Sequence, residues 1–492
     1  MEIKLKDRRN NFKKETVLVF PFFSKQKIAS GSREIEQEIK SIQKEINVLI
    51  EGEERFIVVG DRRFIFLNIG EKKKWNQRKF FLNLRKIIIL VKENRVEHAA
   101  IFLEEVIPEK SDLRNLIGRV SENILLADYD FNRYKKTPKK GWPKIKFVDV
   151  IWPNFKKYQK DFEKAKIIGE AVNYARDLAN IPASDITPDG FAKEALKSAR
   201  MLKNIKTEIF GEEKLKSLGM GGILGVAKGS EEKPRFIILK YFGRKQDKKF
   251  DMSFVGKGVT FDSGGINLKP SSALIEMHMD MAGGAAVLGA ILAIANLKTP
   301  LNIVALIPVV ENMLSGHSFR PGDILKSYSG KTIEVENTDA EGRIVLADAI
   351  SYSVKNFKPK IIVDVATLTG ACAVALGQRA TGLFTNMPEK ENDLKKIGED
   401  SGDYVWPLPC GEEYDEEIKG NIGDLKNMGH SIFGGAITAA VFLKNFVDNT
   451  SWVHLDIAPT MTSIEGQGLK KGATGAGVRY LVELAKEFKK IV

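Results

Sequence analysis

From residue 236 to residue 490 the sequence alternates between strand-like apolar runs and helical stretches. Few folds can absorb that rhythm. The runs 236–241, 251–255, 302–309, 360–365 and 452–457 read as buried strands, and 284–297, 342–356, 435–447 and 478–490 read as helices. Strand followed by helix, repeated, predicts a largely parallel central sheet covered by helices on both sides. Ligands of such open sheets gather at strand ends and in the loops that follow them.

At those junctions the chain concentrates acids and lysines. One segment reads Asn337-Thr338-Asp339-Ala340-Glu341-Gly342-Arg343 and leads into the apolar face of a helix, so Asp339 is expected as its cap and Glu341 in its first turn. A second runs from Val255 through Lys257 and Asp262 to Lys269, and a third places Asp280 before Gly283 and Gly284. Should Asp262, Asp280, Asp339 and Glu341 converge, like-charge repulsion and desolvation forbid the cluster without counterions. Two divalent cations balance it, and oxygen ligands suit magnesium, manganese or zinc. The histidines (His98, His278, His317, His430, His454) include no helical metal pair, and the two cysteines, Cys372 and Cys410, exclude a disulfide framework or a cysteine zinc module.

These segments resemble the leucyl (cytosol) aminopeptidase family of two-metal peptidases. The likeness rests on residues 337–350, 255–269 and 280–284 with lesser stretches, and covers most of the chain from about residue 170 onward. It implies an α/β/α sandwich with a mixed, largely parallel sheet. It further implies that Asp262 and Glu341 bridge two ions, with Asp339 completing one site and Lys257 and Asp280 the other. Lys257 must then bind as the neutral amine. The implied reaction is attack on the first peptide bond by a hydroxide shared between two manganese or zinc ions, releasing one N-terminal residue at a time. Lys269 stabilises the oxyanion, and Arg343 holds a bicarbonate acting as general base. A pocket for a leucine-like first residue falls on Met277, Thr367, Gly370, Ala458 and Met461, with the Leu368 backbone beside it. The family forms hexamers, and a homohexamer is the corresponding expectation.

Plainer readings compete at each position. The competing reading of Lys269 is a surface lysine before Pro270, of Arg343 half of an ion pair with a neighbouring carboxylate, of Asn337 a loop-stabilising amide, and of the pocket residues core packing. His278 stands where the family commonly has a basic residue, Pro459 replaces a usual glycine, and residues 472–477 depart from the common ending.

The remainder of the chain carries no motif of that kind. With 492 residues, two domains are expected: a smaller basic α/β domain at 1–155, a connecting helix at 156–182 and the catalytic domain at 183–492. In the first, 55–59, 64–69, 87–91 and 99–102 read as strands and 35–50 as helix. The net charge of +13 is concentrated there, about 36 basic against about 22 acidic side chains in residues 1–160. Nucleic-acid binding is therefore an alternative role, unsupported by any motif, and a two-metal phosphoesterase is another. The glycines at 219–225 and around Lys257 lack the spacing of a dinucleotide or phosphate loop. Low cysteine content, no export signal and no membrane-length apolar run point to a cytoplasmic protein without a membrane partner.

Overall fold

The computed structural model describes residues 1–7, 12–109, 112–244 and 249–492. They form two compact units, one of residues 1–170 with 464–470, the other of residues 171–463 with 471–492. The division falls inside the long helix Gln159–Asn180, and the short segment 464–470 packs with the first unit although it lies far along the chain.

In the first unit β1 (Glu2–Lys6), β2 (Val17–Phe22), β3 (Glu54–Val59), β4 (Arg62–Asn68), β5 (His98–Phe102) and β6 (Phe147–Ile151) make a six-stranded sheet in the order β1-β6-β5-β2-β4-β3. Only β3 runs antiparallel to its neighbour. Alternate residues serve opposite faces: Val17, Val19, Ile65 and Leu67 pack with Phe80, Leu84 and Ile88, whereas Leu18, Phe20, Phe64 and Phe66 pack with Ile35 and Ile39. The expected strand at 87–91 is instead the end of helix Gln77–Glu93. Its β-branched run invites the strand reading, but Phe80, Phe81, Leu84, Ile87, Ile88 and Val91 recur at helical spacing and all are buried. Asn76 starts that helix by accepting a hydrogen bond from the Lys79 N–H.

The second unit is built on a nine-stranded mixed sheet. Its centre is the parallel set β11 (Asn302–Asn312), β9 (Met252–Gly256), β14 (Ile361–Ala366) and β18 (Ser451–Asp456), in that order. On one side β8 (Arg235–Phe242) and β7 (Ile205–Phe210) continue antiparallel; on the other β15 (Thr381–Thr385) pairs antiparallel with β18 and carries the short β16 (Val405–Pro407). The parallel centre matches the expected strands to within a few residues, while the antiparallel flanks show that the sheet is mixed. A small three-stranded sheet, β12 (Ile324–Lys326), β13 (Thr332–Glu334) and β17 (Leu425–Lys426), stands apart.

Two features of this sheet prepare the site. β10 (Gly258–Asp262) leaves β9 after the single residue Lys257 and pairs with the end of β11, with a register shift between Val259 and Phe261. That irregularity turns the end of β10 away from a regular ladder. Helix Ala282–Asn296 also approaches the strand ends so closely that a Cβ on Gly283 would lie 2.1 Å from the Val365 carbonyl oxygen. Only glycine fits there. The stretch Met277–Asn296 is long and apolar enough to cross a membrane, yet 78% of its apolar window is buried inside this unit.

Candidate metal centre

The acids meet. Asp262 at the end of β10, Asp280 in the turn before helix Ala282–Asn296, and Glu341 at the start of helix Glu341–Phe357 are all buried, and one carboxylate oxygen of each lies within 4.8 Å of the others. Lys257 Nζ sits among them, 2.7 Å from Asp280 Oδ2 and 2.7 Å from Glu341 Oε1, and it donates to the Thr367 carbonyl at 3.0 Å. Lys269 Nζ lies 2.8 Å from Asp262 Oδ2 and 2.5 Å from Asp339 Oδ1. Lys269 is thus no surface lysine. Asp339 belongs to the same cluster through Lys269 but is the most exposed of the four acids.

Local structure aims each group. Asp262 Oδ1 accepts from the Gly264 N–H at 2.9 Å and from Asn312 Nδ2 at 2.8 Å, which leaves Oδ2 toward Lys269. Thr338 joins the two acidic loops: its Oγ1 donates to the Gly264 carbonyl at 2.6 Å, and its N–H donates to Asn267 Oδ1 at 2.9 Å. Asp339 does not cap the helix. Ala340 holds the N-cap position, and the Asp339 N–H donates to Asn337 Oδ1 at 2.8 Å, so Asn337 is the loop-stabilising amide and the Asp339 carboxylate is left for Lys269. Asn312 and Thr338 were not distinguishable in the sequence, because a single buried amide or hydroxyl at a strand end has no pattern of its own.

Burial and charge act against one another throughout. Burial pulls the Lys257 ammonium down, but Asp280, Glu341 and Asp262 outweigh it and hold its pKa above the usual lysine range. Lys269 is raised likewise, burial being overcome by Asp262, Glu341 and Asp339. Asp280 is pushed up by burial and by its acidic neighbours against the pull of Lys257. Asp339 is pushed up to about 6 by burial and Asp262, with Lys269 opposing. Arg343, deeply buried, is drawn down to about 10 by desolvation; its Nη1 donates to the Asn427 carbonyl at 2.9 Å, and its Nε has no hydrogen-bond partner. It makes no ion pair among the described residues.

Four carboxylates face two ammonium groups, so the cluster is short of positive charge. Glu341 Oε2 is buried with no donor at all. Leaving such an oxygen bare costs about 1–3 kcal/mol or more. The donor set is carboxylate oxygen with one amine, the chemistry that divalent cations such as manganese and zinc accept. The residues present therefore fit a pair of divalent ions.

Of the expected pocket residues, Thr367 and Leu368 lie on the loop after β14, Gly370 opens helix Gly370–Leu376, Ala458 follows β18 and Met277 lies in the turn before Asp280. Thr367 is buried and its Oγ1 donates to Asp280 Oδ1 at 2.7 Å, so its hydroxyl is committed to the acid. The Leu368 N–H is likewise committed, donating to Asp456 Oδ1 at 3.1 Å. Met277, Ala458 and Met461 are half-buried, and Gly370 is exposed with nothing within 4 Å of a Cβ placed there. His278 is half-buried and burial lowers its pKa. Asp456 had no signal in the sequence beyond standing at the end of a strand.

Comparison with known proteins agrees with this geometry. Residues 173–482 match the catalytic domain of the cytosol aminopeptidase family. A probable cytosol aminopeptidase of Clostridium tetani is 43% identical over 436 residues, 87% of this chain and 88% of that relative. One from Brucella melitensis is 44% identical over 385 residues, 77% of this chain and 79% of the relative. Among solved structures, the bottromycin maturation enzyme BotP in complex with Mn superposes with a TM-score of 0.85 at 28% identity, covering 96% of this chain and 99% of that one. Neither the phosphoesterase nor the nucleic-acid alternative finds support among these relatives. The chain belongs to the cytosol aminopeptidase family and is a metal-dependent hydrolase acting as an exopeptidase on peptides.

Proposed function

We propose that the chain removes leucine-like N-terminal residues from peptides at two divalent ions held by Lys257, Asp262, Asp280, Asp339 and Glu341. The observation that carries this reading is the buried convergence of Asp262, Asp280 and Glu341, with Glu341 Oε2 lacking any donor. When bound, such a pair acts as a Lewis acid and lowers the pKa of a water toward neutrality. Manganese or zinc is the proposed metal, manganese being the ion in the BotP complex.

The chain's own groups do the rest. Lys257, now paired with Asp280 and Glu341, would hold an ion as the neutral amine, its proton passing to solvent, a loss that a nearby dication would make favourable. Lys269, kept protonated by Asp262, Glu341 and Asp339, presents a fixed positive charge to the oxyanion that develops at the scissile carbonyl. Arg343, whose Nε lacks an acceptor, would hold an anion, and a bicarbonate there would supply a general base. Met277, Thr367, Leu368, Gly370, Ala458 and Met461 form the surroundings of the first side chain. We extend the family reading to a homohexamer in the cytoplasm, which light scattering and cell fractionation test.

The assay is release of nitroaniline from Leu-p-nitroanilide with manganese or zinc. Exhaustive chelation and Glu341→Gln should each lower the rate by about a hundredfold or more. A folded enzyme whose rate survives both overturns the proposal.

A further inference from the structure

We infer that Asp456 is a positioning residue for substrate, its carboxylate clamping together the loops after β14 and β18 that carry Leu368, Gly370 and Ala458. The inference rests on the pocket reading above and assigns what holds that pocket in shape.

Asp456 is the last residue of β18 and stands in register with Ala366, the last residue of β14. Two parallel strands therefore release their loops side by side, and the sheet ladder ends with the Ile457 N–H donating to the Ala366 carbonyl at 2.8 Å. Beyond that point the Asp456 carboxylate, wholly buried, replaces the ladder. Its Oδ1 accepts from the Leu368 N–H at 3.1 Å, the Ala458 N–H at 3.1 Å and, more weakly, the Thr369 N–H at 3.4 Å; its Oδ2 accepts from Thr369 Oγ1 at 2.6 Å. Every donor comes from the two loops. Thr369 passes the constraint on, because its Oγ1 also accepts from the Cys372 N–H at 3.1 Å and so caps helix Gly370–Leu376.

The far side of the same loop is tied to the metal centre by Thr367, which donates to Asp280. The loop is thus held between a proposed metal ligand and Asp456. From below, His454 and Asp364 pair across β18 and β14 at 2.6 Å, and Trp452 Nε1 donates to Asp364 at 2.6 Å, which fixes the strand beneath. Asp456 makes no ion pair among the described residues; His454 and Arg343 feel its charge, but all the hydrogen bonds to its carboxylate come from the two loops.

Asn at this position keeps the shape and replaces one acceptor by an amide donor that faces other donors. Asp456→Asn should therefore raise KM for Leu-p-nitroanilide about tenfold, with kcat held within about twofold and the preference for Leu- over Ala-p-nitroanilide narrowed. Bound metal, measured by plasma mass spectrometry, should stay at its wild-type ratio. Thr369→Val should move KM in the same direction and Thr369→Ser, which keeps the hydroxyl, should recover it; this pair carries the test if Asp456→Asn does not fold. Unchanged KM and preference in folded Asp456→Asn and Thr369→Val overturn the assignment, as does a parallel loss of kcat and metal. Ala458→Phe tests the pocket separately. If it leaves KM untouched the pocket reading falls and the inference with it; if it responds while the other variants do not, only the role of Asp456 is lost.

Discussion

Lys257 holds a proton in the company of three acids, and the ligation proposed above requires it to lose that proton. Its 3% side-chain exposure means that no water compensates its removal. In chelated protein, Lys257→Met leaves Asp280 and Glu341 as uncompensated buried charges, a loss of about 3–5 kcal/mol expected from urea unfolding. With manganese present the penalty should shrink, since the ion takes over the neutralisation. Equal penalties in both conditions would mean that the lysine is structural only. A second buried acid behaves differently. Asp348, one face along the same helix, accepts from the Ile223 N–H at 2.9 Å and the Tyr328 N–H at 2.7 Å, yet burial pushes it up to about 7 despite those donors. Its folded pKa lies above the unfolded 3.8, so its contribution to stability is full below about pH 4 and is lost as pH rises through 7. The shift corresponds to about 4 kcal/mol. Comparing wild type with Asp348→Asn at pH 5 and pH 7.5 should show the wild type losing more stability across that interval; matching losses would remove Asp348 from the titration.

Elements bring these residues together, and small residues at element ends decide how closely. A Cβ on Gly342 would lie 2.6 Å from Lys257 Cε and 2.7 Å from its Nζ, so the lysine end must shift from its place between Asp280 and Glu341. Gly342→Ala should therefore weaken metal binding about tenfold by titration calorimetry, with a smaller effect on folding. Gly283→Ala meets backbone, the Val365 carbonyl, and should instead destabilise the fold by about 1–3 kcal/mol or more. Gly370→Ala meets nothing and should stay within about 0.5 kcal/mol of wild type. If all three changes cost the same, close packing is not what selects glycine. Helices and parallel strands of this unit were readable because buried strands and amphipathic helices write long periodic runs. A short β-branched run such as 87–91 fits either period, and only the phenylalanines two turns earlier fix the choice. Among site residues the acids were legible as a motif, whereas Asn312, Thr338 and Asp456 act through hydrogen bonds to loop backbone and neighbouring side chains that leave no spacing to read. Asp339 was misplaced as a cap because the cap position and the carboxylate's real partner, Lys269, are seventy positions apart.

For the molecule as a whole, the metal centre is a linkage between cation concentration, pH and stability. On the proposed ligation, the excess of two negative charges in the cluster favours divalent ions in the folded chain over the unfolded chain, whose acids are dispersed. Manganese or zinc at about a hundred times its Kd should then stabilise the protein by about 2.7 kcal/mol. For a chain of this length that is a rise of about 2–3 °C in Tm, read by calorimetry with and without chelator. Protons compete for the same oxygens. Asp339 is pushed up to about 6, so as pH falls through 6 a proton occupies it and the cation must displace that proton. The metal-dependent gain in Tm should accordingly shrink between pH 7 and pH 5, and proton release on metal addition should be larger at pH 5.5 than at pH 7.5 as far as Asp339 contributes. Asp339→Asn isolates that contribution, since it lowers metal affinity at every pH while removing its share of the pH dependence. A Tm gain that is independent of pH in the wild type would show that the cation binds somewhere other than these four acids.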